Sequence, residues 1–209
     1  MSVECGNPAA NARKLYSKLM NHLAHLFLAD RDPASLIGNL AGDFVKGALG
    51  DRFPPAIRAG IEHHRRIDAF TDTHPSVAEF RRVLTPEHGH YARVIADMFF
   101  DHFLACRFEE YGGEPLEAFL ARTFAAIDPY EESLPGRLRA VYPRIRDEGW
   151  LQSYREIDSM RGALRGISWR FSRRPQLDTA ARHLIDSRAE LERHFEAFFP
   201  EVMAFARKS

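Results

Sequence analysis

Histidine and aspartate side chains lie where one helix of this sequence should present apolar residues. At about 100° per residue, Ile57 and Ile61 share a helix face with His64, Asp68 and Asp72. A buried carboxylate without a partner is costly, so two on one face require cations, hydrogen bonds or a metal ion. This segment alone leaves a network of arginine ion pairs and a metal site equally open.

Three other segments repeat the pattern. Asp43 follows an apolar, glycine-containing run, Asp101 and His102 lie within a second apolar run, and His22 and His25 within a short third one. Taken singly, each is compatible with a buried, hydrogen-bonded polar residue. Together, imidazole nitrogen and carboxylate oxygen are a ligand set suited to Mn²⁺, Fe²⁺ or Mg²⁺, and the lack of paired cysteines disfavours a structural zinc site. A metal in such a site can activate water and neutralise phosphate charge.

The elements that position these side chains are predicted to be helices. Apolar residues recur at helical spacing and convincing β alternation is absent, which predicts an all-α protein, a compact irregular helical bundle. Gly38, Gly42 and Gly47 permit close approach of another helix or a ligand. Thr85-Pro86 is interpreted as an N-cap and the first position of a helix. The predicted helices are roughly 13–29, 34–49, 55–72, 75–84, 88–108, 114–127, 134–147, 150–165 and 175–207, the last broken near Pro200.

Length and composition limit the class of protein. The 209 residues, 45% of them hydrophobic, suffice for one core. The 29 basic and 29 acidic residues balance, so bulk charge does not indicate nucleic-acid binding. No apolar run approaches the roughly 20 residues of a membrane span. The two cysteines, Cys5 and Cys106, favour free thiols in a reducing cytoplasm, with Cys106 in the core. A soluble, cytoplasmic protein is therefore expected.

The domain boundaries follow from the absence of a linker rich in Gly, Ser or Pro. Met20 is interpreted as the true start, and residues 1–19 as an N-terminal extension that is either non-native or disordered. Residues 20–209 are predicted to form a single helical domain.

Basic residues are concentrated in the second half of the sequence. Residues 137–174 contain ten arginines and no lysine, against only Asp147, Glu148, Glu156 and Asp158. Such a run is usually a solvated face. Arginine without lysine nevertheless favours bidentate contact with carboxylates or phosphates, which predicts an acidic partner.

Several of these segments, in this order and spacing, resemble the acyl carrier protein phosphodiesterase (holo-ACP hydrolase) family. The matching segments are Met20–Leu26, Gly38–Gly47, His64–Asp68, Thr71-Asp72 and Asp101–Leu104. The resemblance extends from Met20 to near the C-terminus, and it is specific only when the motifs are taken jointly.

The resemblance implies a non-standard HD-type metal phosphohydrolase with an HD-domain-like helical fold. Such an enzyme uses a divalent cation, typically Mn²⁺, to hydrolyse holo-acyl carrier protein to the apo form and 4′-phosphopantetheine. Water would attack phosphorus in line, with the carrier serine oxygen leaving. The sequence contains no His-Asp doublet but the reversed pair Asp101-His102, so the ligand set of ordinary HD enzymes cannot be copied.

Residue roles are therefore inferred residue by residue. The inferred metal ligands are Asp43, His64, Asp68 and Asp101, with His25 as a second choice. Asp72 and His102 are further candidates for ligation or support of the ligands. Arg65 and Lys46 are candidates for holding the non-bridging phosphate oxygens. An acidic carrier protein would also give the arginine-rich stretch a partner.

Two alternatives remain open on the sequence. One is an HD-like phosphohydrolase of nucleotides or other small phosphodiesters. The other is a non-catalytic helical protein that binds an acidic partner, in which the Asp and His faces are ion-pair networks. The sequence contains no phosphate-binding loop, dinucleotide fingerprint, H-E-x-x-H motif or G-x-S-x-G elbow that would favour another enzyme class.

Overall fold

The computed structural model describes residues 22–169 and 171–208, and these residues form helices joined by short turns. No strand occurs within those residues, so the all-α prediction is confirmed. The helices are α1 His22–Leu28, α2 Pro33–Ala41, α3 Pro55–Thr73, α4 Pro75–His88, α5 Ala92–Cys106, α6 Phe108–Gly112, α7 Leu116–Ile127, α8 Arg137–Asp147, α9 Trp150–Ser153, α10 Ile157–Ser168, α11 His183–Asp186 and α12 Arg188–Ala206. Short 3₁₀ segments are Gly42–Phe44, Gly89–Tyr91, Asp128–Ser133 and Leu177–Arg182. The interpretation of residues 1–19 lies outside the described residues.

Proline starts three successive helices, because its fixed φ and missing N–H suit the first helical turn. These residues are Pro33, Pro55 and Pro75. Asp32 caps α2 by accepting the N–H of Ser35 at 3.0 Å. Local sequence thus fixes where α2, α3 and α4 begin.

Glycines bring α2 against α3. A Cβ on Gly38 would lie 2.5 Å from the carbonyl oxygen of Ile57 and 2.6 Å from Cα of Gly60. A Cβ on Gly42 would lie 2.2 Å from Cγ of His64. The predicted close approach is confirmed at Gly38 and Gly42, and it brings the end of α2 onto the polar face of α3.

The central helix of the core is α5, which is buried along most of its length. It packs against α1, α4, α10 and α12. Phe80, Phe103 and Phe195 are fully buried between these helices, and burial of a side chain of this size contributes about 1.5–3 kcal/mol. Among the described residues, no helix is long and apolar enough to cross a membrane.

The predicted helix over 34–49 was wrong in its second half. Helix α2 ends at Ala41, and the chain continues through Gly42–Phe44 into a non-helical segment. Gly47 and Gly50 adopt φ values of +75° and +51°, in a region that glycine enters without steric cost. These positive φ values keep the segment after Phe44 out of the helical conformation.

Two proline-based boundaries were also wrong. Helix α4 passes through Pro86 to His88, and Thr85 Oγ1 donates to the Arg81 carbonyl at 2.7 Å instead of capping a new helix. Helix α12 passes through Pro200. Each proline removes one backbone hydrogen bond, a loss that burial of neighbours such as Phe199 offsets. The helix is not broken near Pro200. The break lies before Arg188, between the end of α11 and the start of α12.

Candidate metal centre

The carboxylate of Asp68 lies between two stacked imidazoles. Its Oδ1 is 3.1 Å from Nε2 of His25, and its Oδ2 is 3.2 Å from Nε2 of His64. The two ring centroids are 3.7 Å apart. Both histidines are buried, whereas 45% of the Asp68 side chain is exposed. Three donor groups from α1 and α3 therefore meet at a point that opens to solvent, within 4.8 Å of one another.

A backbone carbonyl orients His64. Its Nδ1 donates to the carbonyl oxygen of Asn39 at 2.8 Å, which leaves Nε2 facing the carboxylates. Burial opposes a charge on this ring, but the Asp68 carboxylate and Asp43 outweigh it and raise the pKa of His64. A histidine that donates its other nitrogen to a carbonyl has the usual orientation of a metal ligand. A divalent cation at Nε2 would take the place of the proton that Asp68 favours.

His25 has the opposite charge preference. Burial, together with the neighbouring His64, lowers its pKa to about 4, so the ring is neutral near pH 7. Its Nδ1 is buried and has no hydrogen-bond partner among the described residues. Although burial favours the neutral acid, hydrogen bonds from both histidines hold the pKa of Asp68 well below its usual range. The centre thus combines a neutral imidazole with an ionised carboxylate, both of which suit a divalent cation.

Asp43 and His22 border this cluster. Asp43 Oδ1 lies 3.8 Å from His64 Nε2, and Asp43 Oδ2 lies 3.8 Å from His22 Nδ1. Asp43 reaches the cluster from the 3₁₀ segment after α2, because Gly42 allows the backbone to contact the His64 ring. Asp43, predicted as a ligand, is thereby placed beside the cluster.

Asp97 was missed in the sequence. Burial raises its pKa to about 7, Asp68 and Asp43 add to the increase, and Arg81 opposes it. Its Oδ1 lies 3.9 Å from Nη2 of Arg81, and 15% of its side chain is exposed. Residues four apart share a helix face, so the position of Asp97 one turn before Asp101 could have indicated it.

Asp101 was predicted to be a metal ligand, but its observed contacts are hydrogen bonds with the backbone of α1. Its two carboxyl oxygens accept the backbone N–H groups of Leu23 and Ala24 at 3.0 and 2.9 Å. Burial raises its pKa to about 7 despite those hydrogen bonds. Asp101 therefore fixes the start of α1, which carries His22 and His25. Its contacts fit a positioning role, and metal ligation by Asp101 stays a prediction.

Arg65, one of the two cations predicted at the phosphate, binds backbone carbonyls. Arg65 donates from Nη2 to the carbonyls of Val45 and Gly47 at 3.1 and 2.9 Å. It thereby ties the segment after Asp43 to α3. Lys46, between these two carbonyls, is exposed.

Asp72 contacts arginines rather than the imidazoles. Its carboxylate accepts a hydrogen bond from Arg81 at 3.0 Å and another from Arg93. Arg81 also lies 3.9 Å from Asp97, so Asp72 holds the Arg81 guanidinium close to the Asp97 carboxyl group. These contacts fit the predicted supporting role of Asp72, which stays a prediction.

The structure does not bring His102 to the cluster. Its Nδ1 donates to the Tyr154 carbonyl at 2.7 Å, and its Nε2 lies 3.7 Å from Sγ of Cys106. Adjacent residues on a helix point about 100° apart, so His102 and Asp101 face different neighbours. Cys106, expected in the core, is exposed and has a free thiol. His63, by contrast, points away from the cluster as predicted, with Nε2 3.1 Å from the Ala206 carbonyl.

Comparison with known proteins decides the family. The sequence pattern that defines acyl carrier protein phosphodiesterases matches residues 20–202. The chain belongs to this family. Proteins named acyl carrier protein phosphodiesterase from Salmonella dublin, Salmonella agona (strain SL483) and Salmonella newport (strain SL254) are each 36% identical to it, over 90% of this chain and 98% of theirs. No solved structure matches the chain, so the HD-like part of the fold prediction stays a prediction.

The cluster lies within the part of the chain that the family match covers. The family match spans α1, α2, α3 and α5, the helices that carry the cluster and the residues around it. The residues that could hold a divalent metal are His25, His64 and Asp68, with Asp43 beside them.

Proposed function

We propose that this chain is a metal-dependent phosphodiesterase that hydrolyses holo-acyl carrier protein to the apo form and 4′-phosphopantetheine. The observation that carries the proposal is the Asp68 carboxylate between His25 and His64, half open to solvent. The Salmonella relatives bear the name of this activity. When bound, a divalent metal supplies Lewis acidity that neutralises phosphate charge and activates water.

The chain's own residues orient the ligands. Asn39 directs His64 Nε2 toward the carboxylates, and Asp101 holds the start of α1 so that His25 stacks on His64. Fixed ligands of this kind need little reorganisation as charge develops on the phosphate. The exposed part of Asp68 defines the side from which the substrate phosphodiester approaches.

The nitrogen and oxygen donors bear on the choice of metal. Two imidazoles with carboxylates suit Mn²⁺ or Fe²⁺, and Mg²⁺ is a weaker candidate because it prefers all-oxygen sites. We propose Mn²⁺ as the working ion. The cytoplasmic location stays a prediction.

Recognition of an acidic carrier protein needs cations that are not already paired. Most arginines of the 137–174 stretch bind carboxylates of the same chain, in the pairs Arg139–Glu132, Arg144–Glu148, Arg146–Glu131, Arg155–Glu117, Arg161–Asp158 and Arg165–Asp178. Lys46 and Arg173 are exposed and have no ion pair among the described residues. We propose that Lys46, next to the centre, contacts the phosphate or the acidic carrier protein, and that Arg173 assists docking.

The experiment that tests the proposal compares substrates. Purified protein with Mn²⁺ is incubated with holo-acyl carrier protein, and separately with nucleotide and other small phosphodiesters. Release of phosphopantetheine from the carrier protein is the expected result. Turnover of the small compounds alone would support the small-molecule phosphohydrolase instead. Binding of the carrier protein without any turnover would support the non-catalytic binder.

A further inference from the structure

A second group of metal-ligating side chains lies at the far end of α4. It comprises Glu87 and His88, the last two residues of that helix, and His183, the first residue of α11. One donor atom from each residue lies within 4.8 Å of the other two. This group shares no residue with the centre around Asp68. His88 is seven residues beyond Arg81 on the same helix, which corresponds to about 10 Å along the helix axis.

The two imidazoles present buried nitrogens that nothing satisfies. His88 and His183 are 9% and 7% exposed, and their Nε2 atoms have no hydrogen-bond partner among the described residues. Their ring centroids are 5.5 Å apart, with the rings nearly perpendicular. A buried polar atom without a partner costs about 1–3 kcal/mol. Two such histidines, each with a ligand atom within 4.8 Å of a Glu87 oxygen, therefore indicate a ligand that binds all three groups.

The carboxylate and the charge state of the rings fit a cation. Glu87 Oε1 lies 3.6 Å from His183 Nε2, and the other oxygen of Glu87 pairs with Arg182. Burial lowers the pKa of both His88 and His183, and the proximity of each ring to a cationic or imidazole neighbour adds to this. The rings are thus neutral near pH 7, which is the form that coordinates metals.

Access and dimensions are also compatible with a metal ion. Glu87 and His88 line a surface cleft of about 350 Å³ that provides a path from solvent. Zinc–nitrogen and zinc–oxygen bonds of about 2.0–2.2 Å place ligand atoms roughly 3.4 Å apart in a tetrahedron. The side chains need to close by about 1 Å, a movement that rotation of the exposed Glu87 and small ring shifts can supply.

We propose that Glu87, His88 and His183 form a second divalent-metal site, of zinc type, that joins the end of α4 to the start of α11. Two imidazoles and one carboxylate are an established zinc donor set with a fourth position for water. Nitrogen donors bind Zn²⁺ more tightly than Mn²⁺, so Zn²⁺ is the ion with which to probe this site. The proposal is independent of the proposed function.

Zinc binding to a variant with a disabled first centre tests the proposal. The double variant His64→Gln/Asp68→Asn is stripped of metal and dialysed against Zn²⁺, and bound metal is measured by elemental analysis. One equivalent of zinc is expected to remain. Adding His183→Gln should abolish this equivalent, and adding Glu87→Gln should weaken binding at least about tenfold. His90→Gln is the matched control, because His90 is exposed and two residues from His88.

The outcomes separate cleanly. Absence of zinc from the double variant would overturn the proposal, as would retention of equal affinity after both His88→Gln and His183→Gln. Circular dichroism of each variant shows whether the helices persist. If a histidine variant does not fold, Glu87→Gln decides the question, since Glu87 is exposed and its side chain is not needed for the core. Unchanged zinc affinity in Glu87→Gln would then contradict the proposal.

Discussion

Nδ1 of His64 lies 2.8 Å from the carbonyl oxygen of Asn39, and this bond sets the direction of the whole ring. Because Nδ1 must donate, the lone pair of a neutral His64 is on Nε2, 3.2 Å from Asp68 Oδ2. Two electron pairs cannot face each other at that distance without a proton or a cation between them. The arrangement therefore favours a cation at Nε2 near neutral pH.

Asp68→Asn is expected to remove most Mn²⁺ binding, because the amide cannot supply the anionic oxygens that face His25 and His64. Equilibrium dialysis with elemental analysis measures the bound metal. Glu62→Gln is the matched control, since Glu62 is an exposed carboxylate on the same helix, and it should retain full binding. Equal metal content in both variants would show that Asp68 does not hold the ion.

Gly42→Ala is expected to displace the His64 ring, because its Cβ would lie 2.2 Å from Cγ of His64. Overpacking of a well-packed site typically costs about 1–3 kcal/mol, and metal affinity should fall as well. Gly162→Ala is the control, since its Cβ would meet nothing within 4 Å. In a helix interior that change stabilises by about 0.5–1 kcal/mol. Denaturant unfolding measures both effects, and similar stability of the two variants would contradict the packing argument.

Gly42 also shows what the sequence could and could not predict. Helix pitch is a local property. The spacing of about 100° per residue therefore correctly predicted that His64 and Asp68 lie together and that His63 points away. The end of α2 at Ala41 was not predicted, because apolar residues continue past it at Phe44 and Val45. The residue pattern identified the polar face of α3. How closely the end of α2 approaches that face depends on tertiary packing.

Asp97→Asn is expected to stabilise the metal-free protein at high pH. An aspartate ionises at about 3.8 when unfolded, whereas burial raises the pKa of folded Asp97 to about 7. Between these values the folded state binds more protons, so stability falls as pH rises through that range. Asparagine never ionises and should therefore add up to about 4 kcal/mol above pH 7 and little at pH 4.

Thermal unfolding of chelator-treated wild type and Asp97→Asn at pH 4, 6 and 8 checks this expectation. A stability gain that grows with pH is the expected result. The same substitution should lower metal affinity, because it removes a carboxylate beside Asp68 and Asp43. A gain that is equal at every pH would mean that Asp97 does not titrate as the structure implies.

His102→Gln is expected to lower stability without changing metal content. His102 is 1% exposed and donates to the Tyr154 carbonyl, so its loss should cost about 1–3 kcal/mol. Urea unfolding and metal analysis of the variant together test the assignment. A normally folded variant that binds no metal would show that His102 ligates the metal or supports its ligands, as the sequence had predicted.

The sequence could not separate the roles of Asp101 and His102, and the burial of α5 explains why. A helix that is buried on nearly all sides has no single apolar face. Helical spacing therefore cannot predict which polar residue of α5 faces the metal centre. Only the packing of α1 and α4 against α5 places Asp97 beside Arg81, Asp101 at the start of α1 and His102 at the Tyr154 carbonyl.

The most direct test of the proposed activity is the mass of holo-acyl carrier protein after incubation with Mn²⁺ and each of three proteins. These are the wild type, Glu62→Gln and Asp68→Asn. We predict that the first two remove the mass of 4′-phosphopantetheine and that Asp68→Asn, matched in concentration, removes little or none. An unchanged mass with wild-type protein would contradict the substrate, and equal cleavage by Asp68→Asn would contradict the centre.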